Sequence, residues 1–145
     1  VSAARKDGRA VVVVLKSGNA GSGDVQELQL SGGEPVWEHL AARLDELSEQ
    51  SLDGRGFSPV IASVAGSREQ LQRARQLLPS TLLIVPSVDP TAADIRSVAP
   101  VFAEGGLALV NASGSLAFQS DGDDFPARSR EAVMQLRDEV NALLD

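Results

Sequence analysis

The chain has 145 residues, of which 43% are hydrophobic and 23% charged, the proportions of an ordinary globular domain. Its net charge of −7 at pH 7 argues against nucleic-acid and anionic-membrane partners, since both require a basic face. The absence of cysteine excludes disulfides and thiolate metal sites, and no apolar run is long enough to cross a bilayer. Because no signal peptide is recognisable, we expect a single cytoplasmic domain over residues 1–145.

Short apolar runs alternate with amphipathic segments along the chain. The runs predict four buried strands, at Ala10 to Leu15, Val60 to Val64, Leu82 to Val85 and Leu107 to Val110. The tail of a helix, Val1 to Gly8, precedes the first strand, and a helical segment follows each strand. This alternation predicts an α/β fold of four βα units, with a parallel sheet and right-handed crossovers.

The first two helices after a strand have recognisable start signals. Pro35 suits the first turn of one helix, and Ser67 with Gln70 predicts a capping box at the start of the next, which Pro79 ends. Helical spacing predicts two buried faces, the first of Val36, Leu40, Leu44 and Leu47 and the second of Leu71, Ala74, Leu77 and Leu78.

The last two helices are marked by proline and aspartate. Asp89 and Pro90 predict a cap and first turn, and Pro100 is expected to kink or end that helix early. An acidic turn, Asp121 to Asp124, is expected to cap the last helix, Phe125 to Leu144. The predicted buried faces are Ile95, Val98 and Phe102 in one helix and Val133, Leu136, Val140 and Leu143 in the other.

Two architectures fit four parallel βα units. An open sheet carries helices on both faces, whereas half of a (β/α)8 barrel carries them on one face and leaves the other apolar. A receiver domain, one type of open sheet, needs an acidic pair after its first strand, but Lys16 and Ser17 stand there. Periodicity alone leaves the choice between open sheet and half barrel open.

The end of the last strand is the first place to look for a site, because loops after the strands of a βα protein present free backbone N–H groups. The last strand breaks into small polar residues from Asn111 to Ser115. The glycine-rich stretch Gly18 to Gly23 lacks the Lys-Ser/Thr of a phosphate-binding P-loop, so a flexible turn is the simpler interpretation. The single His39 and the acidic turn do not form a metal-binding pattern, and no cofactor is predicted.

Four stretches taken together resemble one family. They are Val13 to Asp24 (VVLKSGNAGSGD), Val85 to Val88 (VPSV), Leu109 to Ser113 (LVNAS) and the closing segment Asp123 to Leu143. In this order they are similar to the second half of the longer bacterial type of orotidine 5'-monophosphate decarboxylase. The resemblance implies half of a (β/α)8 TIM-type barrel, in which residues 1–145 supply strands five to eight.

The resemblance also implies which positions would contact a pyrimidine nucleotide. These are Ser17, Asn19, Pro86, Asn111 and Ser113. The family's catalytic Asp-x-Lys-x-x-Asp belongs to strand three, so the resemblance assigns no catalytic residue to this chain.

Three departures from the family pattern affect substrate binding. The family reads Thr-Ser-Asn-Pro after strand five, where its serine contacts the pyrimidine, and Gly18 stands at that serine. After strand seven the glycines and glutamine of Pro-Gly-x-Gly-Ala-Gln-Gly-Gly are replaced, with Asp89 adding a negative charge and Pro90 lacking a backbone donor. After strand eight Gly114 replaces the arginine that clamps the phosphate.

These departures favour a degenerate, non-catalytic domain with a structural or interaction role in a pyrimidine-synthesis polypeptide, such as a fusion with orotate phosphoribosyltransferase. The alternative is a divergent, UMP-forming decarboxylase whose catalytic Asp and Lys come from the other half, with Asn19, Asn111 and Ser113 contacting substrate. A third interpretation is an unrelated open-sheet binding module. For a half barrel we expect a partner on the apolar sheet face, either a second copy or a separate chain carrying strands one to four.

Overall fold

The computed structural model describes residues 1–86, 88 and 92–144. Its strands form one parallel sheet in the order β1-β2-β3-β4. They are β1 Val11–Lys16, β2 Val60–Val64, β3 Leu82–Val85 and β4 Ala108–Val110. The helices of the described part are α1 Ser2–Lys6, α2 Gly23–Gln26, α3 Val36–Glu49, α4 Arg68–Leu77, α5 Ala92–Val98, α6 Gly114–Ala117 and α7 Phe125–Asn141. The four predicted βα units are therefore confirmed.

The strand boundaries follow the apolar runs closely. Both central strands have the predicted limits, β1 begins and ends one residue later than predicted, and β4 begins one residue later. Short 3₁₀ segments, Ala20–Ser22 and Ala99–Gly105, precede α2 and follow α5. The short helices α2 and α6 were not predicted, since each spans only four residues and lacks an apolar stripe.

One face of the sheet is covered by helices and forms the core. In β2 the residues Val60, Ala62 and Val64 point into this core, as alternation along a strand requires. The helices contribute their inner stripes to the same cluster, which includes Trp37, Ala41, Leu71, Ala74, Ile95, Val98 and Val101.

The predicted buried face of α3 is wrong by about one residue. Trp37 and Ala41 are buried together with Leu44, whereas Leu40 is 44% exposed and Leu47 43% exposed. Trp37 has the largest apolar area in the helix and is only 3% exposed. Because the indole faces the core, Leu40 and Leu47 lie on a flank of α3 that does not contact the core.

The start of α4 forms as predicted. The N–H of Gln70 donates to Ser67 Oγ at 3.4 Å, and the N–H of Ser67 donates to Gln70 Oε1 at 2.9 Å, which completes the capping box. Leu71, Ala74 and Leu78 are buried, and Leu77 is partly buried.

The last two helices agree in part with their predictions. After α5 the chain continues as a 3₁₀ segment that contains Pro100, so the α-helix ends where the proline predicted. Ile95 and Val98 are buried, and the predicted cap at Asp89 and Pro90 lies outside the described residues. Helix α7 buries Leu136, but Val133 is exposed, which corrects its predicted place on the buried stripe.

A buried arginine ties the amino-terminal end of the sheet together. The guanidinium of Arg75 donates only to backbone carbonyls, those of Leu78, Pro79, Thr81, Val101 and Leu107. Burial lowers the pKa of this guanidinium. These bonds join the end of α4 to the starts of β3 and β4 and to the 3₁₀ segment.

The opposite face of the sheet is open and apolar. Val14 is 62% exposed and Leu109 54% exposed, and Val12 and Leu107 are also exposed. Helices on one face and an uncovered apolar face are the geometry of a half barrel. The interpretation as a sheet covered on both faces is therefore wrong for the described part of the chain.

Candidate functional site

The carboxyl ends of all four strands lie at the same end of the sheet, because the strands are parallel. Ser17 follows β1, Ala65 follows β2, Pro86 follows β3 and Asn111 follows β4. In parallel βα folds the loops after these ends form the ligand site. The loops at this end of the sheet are called the rim below, and they contain all five residues that the resemblance indicates as nucleotide contacts, namely Ser17, Asn19, Pro86, Asn111 and Ser113.

A β-bulge changes the direction of Lys16 at the end of β1. Val14 pairs with Ser63 and Lys16 pairs with Val64, so Leu15 is an extra residue on its strand. Strict alternation would have placed Lys16 on the open face with Val14. The bulge instead turns Lys16 toward the helix side, where its side chain is only 5% exposed.

The ammonium group of Lys16 is buried and forms an ion pair with Glu27. Its Nζ lies 3.0 Å from Glu27 Oε1, and Gln70 Nε2 donates to the same oxygen at 3.0 Å. The hydrogen bond and charge of Lys16 hold the pKa of the Glu27 carboxyl below its usual range. Lys16 thus anchors the end of α2 and is not available to a ligand at the rim.

Ser17 and Asn19 contact each other in the loop that follows β1. The Ser17 hydroxyl donates to Asn19 Oδ1 at 2.5 Å, and the Ser17 N–H donates to Gln26 Oε1 at 2.9 Å. The stretch Gly18 to Gly23, predicted as a flexible turn, folds through a 3₁₀ segment into α2 and returns to Ser17. The loop is therefore closed on itself by side-chain hydrogen bonds.

A cleft of about 340 Å³ lies among the ends of β1, β2 and β3. Pro86 lines it together with Gly18, Ala65 and Gly66. Of the described residues that form its wall, none carries a charged side chain. A Cβ added at Gly18 would lie 3.3 Å from the Cβ of Ala65, so this part of the wall is closely packed.

Asn111 and Ser113 lie at the other edge of the sheet. The backbone N–H of Asn111 donates to Val85 O at 2.9 Å, and its carbonyl accepts from the Val88 N–H at 3.1 Å. The side chains of Asn111 and Ser113 are exposed, and Ser113 immediately precedes α6. Three strand spacings, roughly 14 Å along the sheet, separate these residues from the pair Ser17 and Asn19.

The residues considered as metal ligands do not form a metal site. His39 Nδ1 lies 3.4 Å from Glu34 Oε1 at the surface, and no cluster of metal-ligating residues occurs in the part of the chain that the structure describes. Asp124 accepts hydrogen bonds from Ser120 and Arg128 but makes no side-chain cap bond to α7, which corrects its predicted capping role. None of the helices within the described ranges has the length and apolarity needed to cross a membrane.

The polar anchors of the first loop were not found from the sequence. Gln26 adds no signal of its own to periodicity, yet its Oε1 accepts from the Ser17 N–H, and Glu27 pairs with Lys16. The available signal was the position of a Gln-Glu pair directly after a glycine-rich loop that begins next to a lysine.

Four parallel βα units, helices on one face and polar loops at the carboxyl ends define this protein as half of a (β/α)8 barrel. In sequence it is similar to curated orotidine 5'-phosphate decarboxylases. The protein from Deinococcus radiodurans is 35% identical over 99% of this chain and 51% of its own length. The relatives from Rhodopirellula baltica and Roseiflexus castenholzii are 31% and 29% identical, over 86% and 94% of this chain and 42% and 49% of their own. The chain therefore spans about half the length of the curated relatives it matches.

A solved structure supports the same fold. It is a protein from Toxoplasma gondii assigned as an orotidine-monophosphate decarboxylase, which superposes with a TM-score of 0.66 at 19% identity, over 92% of this chain and 51% of that one. No protein-family model matches the chain. The chain is an orotidine 5'-phosphate decarboxylase-like domain that corresponds to about half of such a barrel, which confirms the resemblance seen in its sequence.

Proposed function

We propose that this domain is a degenerate, non-catalytic half of a decarboxylase-like barrel, with a structural or interaction role in a cytoplasmic pyrimidine-synthesis polypeptide. The observation that carries the proposal is the state of Lys16, the cation that ends β1. Its ammonium group is buried against Glu27, so it offers no charge to a nucleotide phosphate at the rim.

The glycine at position 114 should weaken the binding of a nucleotide phosphate. The family resemblance implies an arginine here, but this residue is an exposed glycine at the start of α6. A hydrogen bond between a guanidinium and a phosphate contributes about 1.5–3 kcal/mol. Losing one such bond weakens binding by roughly tenfold to a hundredfold.

The glycine at position 18 should weaken the binding of a pyrimidine base. The resemblance implies a serine hydroxyl at this position, and Gly18 supplies none. Because an added Cβ would lie 3.3 Å from the Cβ of Ala65, a serine here would require Ala65 to move by a few tenths of an ångström. The surrounding wall has therefore adjusted to the glycine.

The second candidate is a divergent, UMP-forming decarboxylase whose catalytic residues come from the other half of the barrel. The observation that favours it is the exposure of Asn19, Asn111 and Ser113, whose polar groups face the rim and are accessible to a nucleotide.

A chimeric barrel tests the two candidates. The half of the Deinococcus decarboxylase that the match leaves uncovered is joined to this chain, and the same half joined to its own matching half is the active control. We expect the chimera to fold, by circular dichroism, but to show no decarboxylation of orotidine monophosphate and no saturable binding of UMP.

A single substitution tests the cause of the expected loss. Gly114→Arg in the chimera should raise the affinity for UMP roughly tenfold to a hundredfold. The matched control, Ser115→Arg, places the same charge one residue further along α6 and should change the affinity little. Turnover by the unsubstituted chimera would overturn the proposal and support the divergent enzyme.

A further inference from the structure

We infer that a cavity at the amino-terminal end of the sheet binds a small oxyanion of the phosphate class, with free inorganic phosphate as its occupant. The cavity has a volume of about 240 Å³ and lies between the end of α1 and residues 51–59, where β1 and β2 begin. It is called the basic cavity below. Because it lies at the end of the sheet opposite the rim, the inference goes beyond the proposed function and does not depend on it.

Three arginines line the basic cavity, although the chain as a whole has a net charge of −7. They are Arg5, Arg9 and Arg55, and the acidic side chain among the described lining residues is that of Asp53. An excess of positive charge in a concave site focuses the local field and attracts anions. The basic cavity is therefore a place where an otherwise acidic surface can hold a negatively charged ligand.

The turn that ends α1 fixes the backbone between Arg5 and Arg9. Gly8 has a φ of +64°, its N–H donates to Arg5 O at 3.3 Å, and the N–H of Arg9 donates to Ala4 O at 2.8 Å. This pair of hydrogen bonds around a left-handed glycine is a Schellman motif, which ends a helix with a defined geometry. The two arginines consequently reach the same cavity from a preformed turn.

The other side of the basic cavity is a loop organised by Asp53. Its Oδ1 accepts hydrogen bonds from the N–H of Arg55 at 2.8 Å and from the N–H of Phe57 at 3.0 Å. The N–H groups of Phe57 and Arg55 lower the pKa of the Asp53 carboxyl. The guanidinium of Arg55 lies 5.9 Å from the centre of the Phe57 ring, a contact that restrains its direction. This side of the cavity is thus preformed as well.

The three guanidinium groups keep donors for a ligand. Arg9 is exposed, and none of the described residues forms a hydrogen bond or ion pair with its side chain. Arg5 makes one long bond to Leu52 O at 3.4 Å, and the bonds from Arg55 to Asp53 measure 3.3 and 3.4 Å. Bonds of this length are weak. A phosphate group, whose oxygens match the planar fork of a guanidinium, can make shorter and stronger ones.

The size of the basic cavity and the charge around it favour a small anion. Sites that enclose a drug-sized ligand have volumes of roughly 300–1,000 Å³, so about 240 Å³ suits a phosphate group better than a whole nucleotide. An acidic protein partner would bring further negative charges against a surface of net charge −7. A phosphate ion contacts the cavity alone, and charges more than about 8 Å away are largely screened at physiological salt.

The experiment titrates this chain with sodium phosphate at pH 7, with sodium chloride at matched ionic strength as the reference. We expect isothermal titration calorimetry to show one site with a Kd that is roughly millimolar or tighter. The melting temperature should rise with phosphate concentration, because the ligand binds the folded chain. UMP should bind at least about tenfold more weakly, because one of its phosphate oxygens is esterified and the cavity does not enclose the nucleoside.

Substitutions locate the binding site. Arg9→Gln should weaken phosphate binding roughly tenfold to a hundredfold, because it removes a charged donor. The side chain of Arg9 has no partner within the described ranges, so this variant should keep the circular dichroism of the unsubstituted protein and its melting temperature without phosphate. The matched control, Arg130→Gln on α7, removes the same charge from another exposed position and should leave the affinity unchanged.

A third variant should change the affinity in the opposite direction. Asp53→Asn removes the negative charge from the lining, while its Oδ1 can still accept from the N–H groups of Arg55 and Phe57. Phosphate affinity should therefore rise severalfold with the loop intact.

The possible results separate the inference from the proposed function. Absence of saturable phosphate binding would overturn the inference, and so would equal losses of affinity in Arg9→Gln and Arg130→Gln, which would indicate a response to net charge alone. UMP binding that disappears in Arg9→Gln would overturn the choice of free phosphate as occupant. UMP binding that Arg9→Gln leaves unchanged would support a separate phosphate cavity, and it would contradict the weak nucleotide binding proposed for the rim.

Discussion

The guanidinium of Arg75 occupies the space that a side chain at position 106 would need. A Cβ added at Gly106 would lie 2.6 Å from Arg75 Nε and 2.7 Å from the carbonyl oxygen of Val101, the acceptor of the Nε–H bond. Gly106 itself has a φ of −59°, which any residue can adopt. Glycine is therefore needed here for close approach and not for backbone conformation.

Gly106→Ala should accordingly destabilise the protein by about 1–3 kcal/mol, the usual result of overpacking a site that cannot relax. The measurement is the free energy of unfolding in urea. Gly54→Ala is the matched control, because an added Cβ at Gly54 meets no atom within 4 Å, and it should be nearly neutral. Equal stability of the two variants would refute the packing argument.

Removing the guanidinium of Arg75 should lower the free energy of unfolding more than Gly106→Ala does. Arg75→Met leaves the carbonyls that Arg75 joins without a donor, and we expect a loss of about 3 kcal/mol or more. Arg75→Lys should recover only part of this loss, because an ammonium group cannot reproduce the planar fork of donors. Arg73→Met, which removes an exposed arginine paired with Glu38, should cost less than about 1 kcal/mol in the same urea titration.

The ion pair between Lys16 and Glu27 should make stability depend on pH. The pKa of Glu27 is lowered in the folded protein, so its stabilising effect is present above its ordinary value of 4.5 and is lost as pH falls through the lower folded value. Glu27→Gln should lower the melting temperature at pH 7, because the buried Lys16 loses its counter-charge, and the difference from the unsubstituted protein should shrink below about pH 4.5. Glu34→Gln, at the exposed pair with His39, is the control. A melting temperature unchanged by Glu27→Gln at pH 7 would contradict this account.

The ionised carboxylate of Asp45 should destabilise the folded protein at pH 7, whereas that of Glu27 stabilises it. Its pKa is raised, first by partial burial and then by the charges of Glu49 and Glu46, and its Oδ1 is buried without a hydrogen-bond partner. The ionised carboxylate is thus disfavoured in the folded state, so Asp45→Asn should raise the melting temperature at pH 7. The gain should diminish in acid, where Asp45 is protonated. Asp123→Asn at the exposed turn serves as the control, and a destabilised Asp45→Asn variant would refute the prediction.

Local rules of sequence predicted much of the fold. The limits of β2 and β3 follow from short aliphatic runs, and the capping box at Ser67 and Gln70 follows from residue chemistry three positions apart. These features depend on neighbours in the chain, so the pattern contains the necessary information.

Features that depend on neighbours in space were predicted less well. Periodicity marked Leu40 and Leu47 of α3 as buried, but it cannot distinguish a stripe that faces the sheet from one that faces a further helix. The bulge at Leu15 could not be predicted either, because the residues on both sides of it have the composition of an uninterrupted strand. As a result the direction of Lys16 could not be predicted.

The strand-end positions of the candidate residues could be predicted from the sequence, but their internal bonding could not. The rule that sites follow strand ends indicated Asn111 and Ser113, the family resemblance added Ser17, Asn19 and Pro86, and their contact with a ligand stays a prediction. The engagement of Ser17 with Gln26 requires the chain to fold back across nine residues, and no periodic pattern reports such a return.

The bulge at Leu15 limits how β1 can vary during evolution. Exchanges among valine, isoleucine and leucine preserve the strand, and the loss of Leu15 would leave Lys16 opposite Val64 on the helix side, where Glu27 lies. A strand of the same length without the bulge would instead pair Leu15 with Val64 and turn the ammonium group to the open face, away from Glu27. Selection on this strand should consequently act on its register with β2 before its composition, and insertions should accumulate in exposed loops.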